Sequence, residues 1–182
     1  MHTTINCPGR KRTSAHKGFT LVELMVTVAL AAILMMLAIP SFTNQLRGWQ
    51  RDSATKALTA HLQLARSEAI KTSRRVVMCS STNGTACAES VEWSTGWIVF
   101  IDGDGDEALG TGETTLVSRG ASTGLASMKS GIKSLSFMPN GLLASNPSSF
   151  EVIPLGRGGV KFNKVTINRI GRAYVTALAQ KA

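Results

Sequence analysis

Between Phe19 and Ile39 the chain runs for 21 residues with a single charged side chain, the carboxylate of Glu23. A helix of that length is about 31 Å long, the thickness of a bilayer's hydrocarbon core. A carboxylate there is costly unless it finds a partner, so Glu23 marks a functional position and not part of a plain anchor. Gly18 stands directly before the segment. Arg10, Lys11, Arg12 and Lys17 form a basic leader that carries no acid. Basic flanks stay in the cytoplasm, so the chain beyond the apolar segment is expected on the other side of the membrane. A secretory signal would carry a small-residue cleavage site behind its apolar core, and Ile39-Pro40-Ser41-Phe42 supplies none. The expected cut lies before the core, so the apolar helix stays with the mature protein.

The 182 residues leave room for one such helix and one domain of roughly 100–140 residues, large enough to bury a core. The formal net charge is +9, and loss of the four basic leader residues lowers it to +5. Cys7 lies in the leader. Cys79 and Cys87 stand in a polar stretch, and an even pair in an exported domain reads as a disulfide closing a small loop, against the alternative of two free thiols. A metal site on these thiols is disfavoured, because His61, the one histidine beyond the leader, is distant in sequence.

After Pro40 the helix is expected to continue, amphipathic, to about Lys71. Ala54, Leu58, Leu62, Ala65 and Ala69 form a helical stripe, with Arg47, Arg51, Lys56 and Arg66 on a basic, solvated side. Beyond Ser73 the pattern changes to short β-rich runs at 75–79, 96–101, 114–118, 132–137, 150–154, 160–168 and 172–178, separated by turn signals such as Pro139-Asn140-Gly141. The expected class is α+β, a long N-terminal helix packed on an antiparallel sheet or small sandwich of seven strands. Trp93, Trp97 and Phe100 are expected between sheet and helix, and Trp49 near the membrane interface.

The stretch Gly18-Phe19-Thr20-Leu21-Val22-Glu23-Leu24-Met25 resembles the N-terminal signal of type IV pilins and pseudopilins, and Pro40 falls where pilins usually have proline. Ala65-Arg66-Ser67-Glu68-Ala69-Ile70-Lys71, Cys79, Cys87 and Gly96-Trp97-Ile98-Val99-Phe100-Ile101-Asp102 are similar to the GspH/FimT group. The resemblance implies a leader over 1–18, a transmembrane and filament-core helix over 19–40, its amphipathic half over 41–73 and a periplasmic domain over 74–182. It implies cleavage by a prepilin peptidase between Gly18 and Phe19, with N-methylation of Phe19. In a filament, Glu23 would pair with the α-amino group of a neighbouring subunit, since burying both charges is tolerable only when they meet. The implied partners are other minor pilins or pseudopilins and the inner membrane, with no cofactor, no small-molecule substrate and no enzymatic activity. The machine served is either a type II secretion pseudopilus or a type IV pilus.

Three groups of residues are candidates for further chemistry. The chain beyond Arg119 is basic, with Arg157, Lys161, Lys164, Arg169 and Arg172. DNA-binding members of the group resemble one another in a Gly-Arg-x-Arg turn, here Gly171-Arg172-Ala173-Tyr174, with tyrosine in place of the second arginine. Binding of that kind rests on phosphate neutralisation and fades with salt. Asp102, Asp104, Asp106 and Glu113 occupy positions 1, 3, 5 and 12 of a calcium-loop spacing. Glu107 replaces the usual glycine and the flanks read as strands, so an acidic turn is the preferred reading. For catalysis the chain offers little: His61 has no sequence neighbour with which to form a nucleophile–base pair, and there is no phosphate-binding glycine loop.

Overall fold

The computed structural model describes residues 18–156 and 161–178, leaving out the side chains of 37–41. The basic leader with Cys7, and Arg157, lie outside these residues. The chain divides into two compact units, Met1–Pro40 and Ser41–Ala182.

α1 runs over Leu21–Thr72. Its start is set by Thr20, whose hydroxyl accepts the Glu23 amide at 3.2 Å while its carbonyl accepts that of Leu24. Thr20-x-x-Glu23 is the spacing of a capping box, and an acid in the first turn suits the helix dipole. Ser73 ends the helix in the left-handed region, with φ 53°. In the first unit the apolar side chains from Phe19 to Met36 are largely exposed. The expected span falls partly on 37–41. Among the described residues no helix is long and apolar enough to cross a membrane.

In the second unit the expected stripe is the core face of the helix: Ala54, Leu58, Leu62, Ala65 and Ala69 are each at most 2% exposed. Among the described residues eight strands follow, one more than expected, in two four-stranded antiparallel sheets. The first has the order β3-β2-β1-β5, made of β1 (Arg75–Ser80), β2 (Trp97–Asp102), β3 (Thr114–Arg119) and β5 (Ser134–Phe137). The second has the order β4-β6-β7-β8, made of β4 (Leu125–Ser130), β6 (Ser148–Pro154), β7 (Phe162–Ile167) and β8 (Ala173–Leu178). The helix stripe shares one apolar cluster with Val76, Met78, Val99 and Phe137 of the first sheet and Phe150, Val152, Val165 and Ile167 of the second.

The extra strand, β4, reads Leu-Ala-Ser-Met-Lys-Ser and has little β-propensity of its own. Its place is fixed from outside: Trp93 N–H donates to the Met128 carbonyl at 2.7 Å, and Ser130 N–H to that of Val91 at 3.1 Å. Trp93 meets Phe150 edge-on at 5.0 Å and donates its indole N–H to the Ile132 carbonyl. Strand β5 starts two residues later than expected.

Two further expectations are corrected. Phe100 faces away from the helix, in a second cluster with Val77, Cys79 and Ile98, against which Cys87 and Leu109 pack. Side chains alternate across a strand, so Val99 and Phe100 must take opposite faces. The basic side of the helix is not simply solvated. Arg51 donates to the Lys161 carbonyl and pairs with Asp52, and Arg66 donates to the Gly141 carbonyl at 3.1 Å.

Candidate functional site

The N-terminal candidates sit at the start of α1. Phe19 is 80% exposed and Glu23 is exposed in the first turn of the helix, where its backbone takes part in the cap just described. The cap engages the backbone amide of residue 23, not the Glu23 carboxylate.

Cys79 and Cys87 are joined in a disulfide. Cys79 lies in β1, so the bridge ties the loop after this strand back over the first sheet.

The C-terminal candidates gather at the turn between β7 and β8. Asn168 organises it: its side-chain carbonyl accepts Arg172 N–H at 2.9 Å and its backbone carbonyl accepts Gly171 N–H at 2.9 Å. Gly171 adopts φ 73°, and a Cβ there would lie 2.7 Å from the Gly141 carbonyl oxygen, so glycine is required twice over. Beside the turn opens a groove of about 550 Å³ lined by Gln63, Arg66, Ser67, Ile70, Gly171 and Arg172. Arg66, from the helix, is the member that charge in the C-terminal third alone could not reveal. Arg169 and Arg172 are exposed, as is Tyr174 on β8. Lys164 stands opposite Glu151 across β6 and β7, which places the one acid of this region beside it. Lys161 precedes β7, at the end remote from the turn. Eight residues of extended chain correspond to about 26 Å, so Lys161 and Arg169 do not form one site.

The acidic candidates close a loop between β2 and β3. Asp102, Asp104 and Asp106 bring a carboxylate oxygen each to within 4.8 Å of one another. Glu113 does not join them; its two oxygens accept the amides of Gly103 at 2.7 Å and Gly110 at 2.9 Å. Glu107, the departure from the calcium-loop spacing, has φ 60°, the backbone conformation for which glycine is ordinarily chosen. Its carboxylate accepts Ser136 Oγ–H at 2.9 Å and lies 3.7 Å from Arg75.

His61 is held as a structural partner: its Nδ1 accepts the indole N–H of Trp97 at 2.9 Å. Burial first, and then the positive charge of Arg119, lower its pKa. The Arg119 guanidinium lies 5.1 Å from the Trp97 ring centroid, within cation–π range.

Residues 54–171, which include the whole helix stripe and strands β1 to β7, match the family described as Type II transport protein GspH. The chain belongs to the GspH family. Residues 13–39 of this GspH-family chain match the prokaryotic N-terminal methylation motif, which contains Gly18, Phe19 and Glu23. The family match takes in the disulfide, the acidic loop, Lys161, Lys164, Arg169 and Gly171, and stops just before Arg172 and Tyr174. No curated protein sequence matches the chain.

Among solved structures, the GspH-family chain is similar to the type IV minor pilin FimU of Pseudomonas aeruginosa (strain PAO1) in two crystal forms. One superposes with a TM-score of 0.55 at 22% identity, covering 69% of this chain and 87% of that one. The other gives 0.52 at 23% identity, covering 69% and 91%. At these identities the likeness establishes the fold alone, and that fold is pilin-like: an N-terminal helix packed on antiparallel β structure.

Proposed function

We propose that this chain is a minor subunit of an extracytoplasmic filament, assembled near the tip of a type II secretion pseudopilus or a type IV pilus. One observation carries the reading: a methylation motif and a GspH domain occupy successive parts of one chain. In this reading a prepilin peptidase cuts between Gly18 and Phe19, and Phe19 is N-methylated. The apolar helix then anchors the subunit in the inner membrane, with the β domain in the periplasm. The exposed apolar side chains from Phe19 to Met36 are the surface that neighbouring helices or lipid would cover. Glu23 meets the new α-amino group of an adjacent subunit once both leave water. The work is mechanical, with the helix polymerising and the β domain contacting other minor subunits.

The test is cross-linking of the native protein in cells, with identification of the attached partners. Secretion pseudopilins among them place the subunit in type II secretion, and minor pilins place it in a pilus. Neither class among the partners would sink the proposal.

A second reading, DNA binding during uptake, is favoured by the groove that sets Arg66 beside Arg172. Two guanidinium groups on one rim suit phosphate oxygens. Retention of DNA that weakens steeply with salt, and that Arg172→Ala reduces, is the expected result. Equal retention by parent and variant would remove it.

A further inference from the structure

We infer that the loop from Asp102 to Glu113 is a calcium site, with Asp102, Asp104 and Asp106 as its side-chain ligands. The convergence of three carboxylates is the first observation, and alone it is only an acidic turn. The second is Asp102 itself. Its side chain is 0% exposed; Oδ1 accepts the Gly105 amide at 2.6 Å, but Oδ2 is buried with no hydrogen-bond donor. Arg75 forms a long ion pair with Oδ2 at 3.9 Å, beyond hydrogen-bond range, and donates to the Gly105 carbonyl at 3.3 Å, so Oδ2 has a charge partner but no donor. A buried carboxylate oxygen without a donor is costly, and a hard cation satisfies it directly.

The rest of the loop is arranged to hold that position. Glu107 takes the positive φ that the sixth position of such a loop requires. Leu109, two residues on, packs against the cluster of Val77, Cys79, Ile98 and Phe100 and pins the loop to the first sheet. Glu113 closes the ends through the Gly103 and Gly110 amides and is not a ligand, so the side-chain ligands are the three aspartates, with water completing the shell. Asp102 and Asp104 also line an open cavity of about 520 Å³, which they share with Arg74 and Arg75. Calcium fits better than magnesium because it accepts six to eight oxygens in irregular geometry, whereas magnesium demands an octahedron. The expected affinity is that of extracellular modules, about 10⁻⁴–10⁻³ M.

The experiment is calorimetric titration of calcium chloride into the full chain in detergent after chelator treatment, with melting temperature read in parallel. Saturable binding of one ion per chain, with a raised melting temperature, is expected. Asp104→Ala and Asp106→Ala change exposed side chains; each should weaken binding roughly tenfold or more while melting like the parent in chelator. No binding up to about 10 mM calcium, unchanged binding in both variants, or equal binding of magnesium would overturn the site.

Discussion

Trp97 donates its indole N–H to Nδ1 of His61 at 2.9 Å, joining β2 to the helix through one neutral imidazole. Protonation at Nδ1 would remove the acceptor and place a second cation near Arg119. The lowered pKa means that the unfolded chain binds more protons once pH approaches the ordinary value of 6.5. The stabilisation is therefore complete above that value and is lost as pH falls through the folded pKa. We expect the melting temperature to drop between about pH 7.5 and pH 5.5, and His61→Gln to flatten the drop. Identical slopes for parent and variant would refute this.

Glu92 holds β4 from outside the sheet, with Oε1 accepting Met128 N–H at 2.7 Å and Ser94 N–H at 3.1 Å. Burial alone would raise its pKa, but the bonds from Met128 and Ser94 and the charge of Lys129 outweigh it and lower the value below 4.5. This contribution is present above pH 4.5 and lost as pH falls further. Glu92→Ala should cost about 1–3 kcal/mol in urea unfolding at neutral pH, since two amides lose their acceptor.

Cys87→Ser opens the ring that the disulfide closes. In the chain-entropy account a loop this short contributes about 2–3 kcal/mol. Reduction of the parent protein should lower the denaturation midpoint by the same amount as the substitution. A reduced parent as stable as the oxidised one would show that the bridge adds nothing.

Gly171→Ala forces a side chain into a left-handed turn against the Gly141 carbonyl. We expect a loss of about 1–3 kcal/mol, with exchange protection falling first at the Leu143 amide, which donates to the Arg169 carbonyl. Wild-type protection at Leu143 would contradict the strain argument.

Glu23→Ala should leave leader removal intact and block entry into the filament. The Thr20 cap uses the backbone amide of residue 23, which alanine keeps, so the helix start survives. Immunoblotting for the processed form and for the sheared filament fraction separates the two effects. Normal incorporation would refute the role given to the carboxylate.

The helix and its buried stripe were legible because Ala54, Leu58, Leu62, Ala65 and Ala69 keep helical spacing over a stretch without proline. Most strands were legible from their β-branched and aromatic runs. β4 was not, because it is held by its ladder with β6 and by Glu92 and Trp93, more than 30 residues away in the case of the Met128 contacts. The orientation of Phe100 was hidden for a related reason. A strand covered on both faces shows no alternation, and only the loops carrying Cys87 and Leu109 reveal the second cover. At the candidate sites, the arginines of the β7–β8 turn could be read from charge. Arg66 could not, since a helical arginine gives no sign of which groove it lines. Glu107 at the sixth loop position was read as a defect, and its φ of 60° shows that the backbone absorbs it.

Among the described residues the two sheets share no strand ladder, and the helix stripe belongs to the cluster that receives side chains from both. A terminal helix is usually the first part of a domain to be trimmed when a shorter version is wanted. Here trimming past Ala54 would take away the wall on which each sheet closes. The shortest fragment able to fold therefore begins well inside α1, about 20 residues ahead of the first strand it has to support.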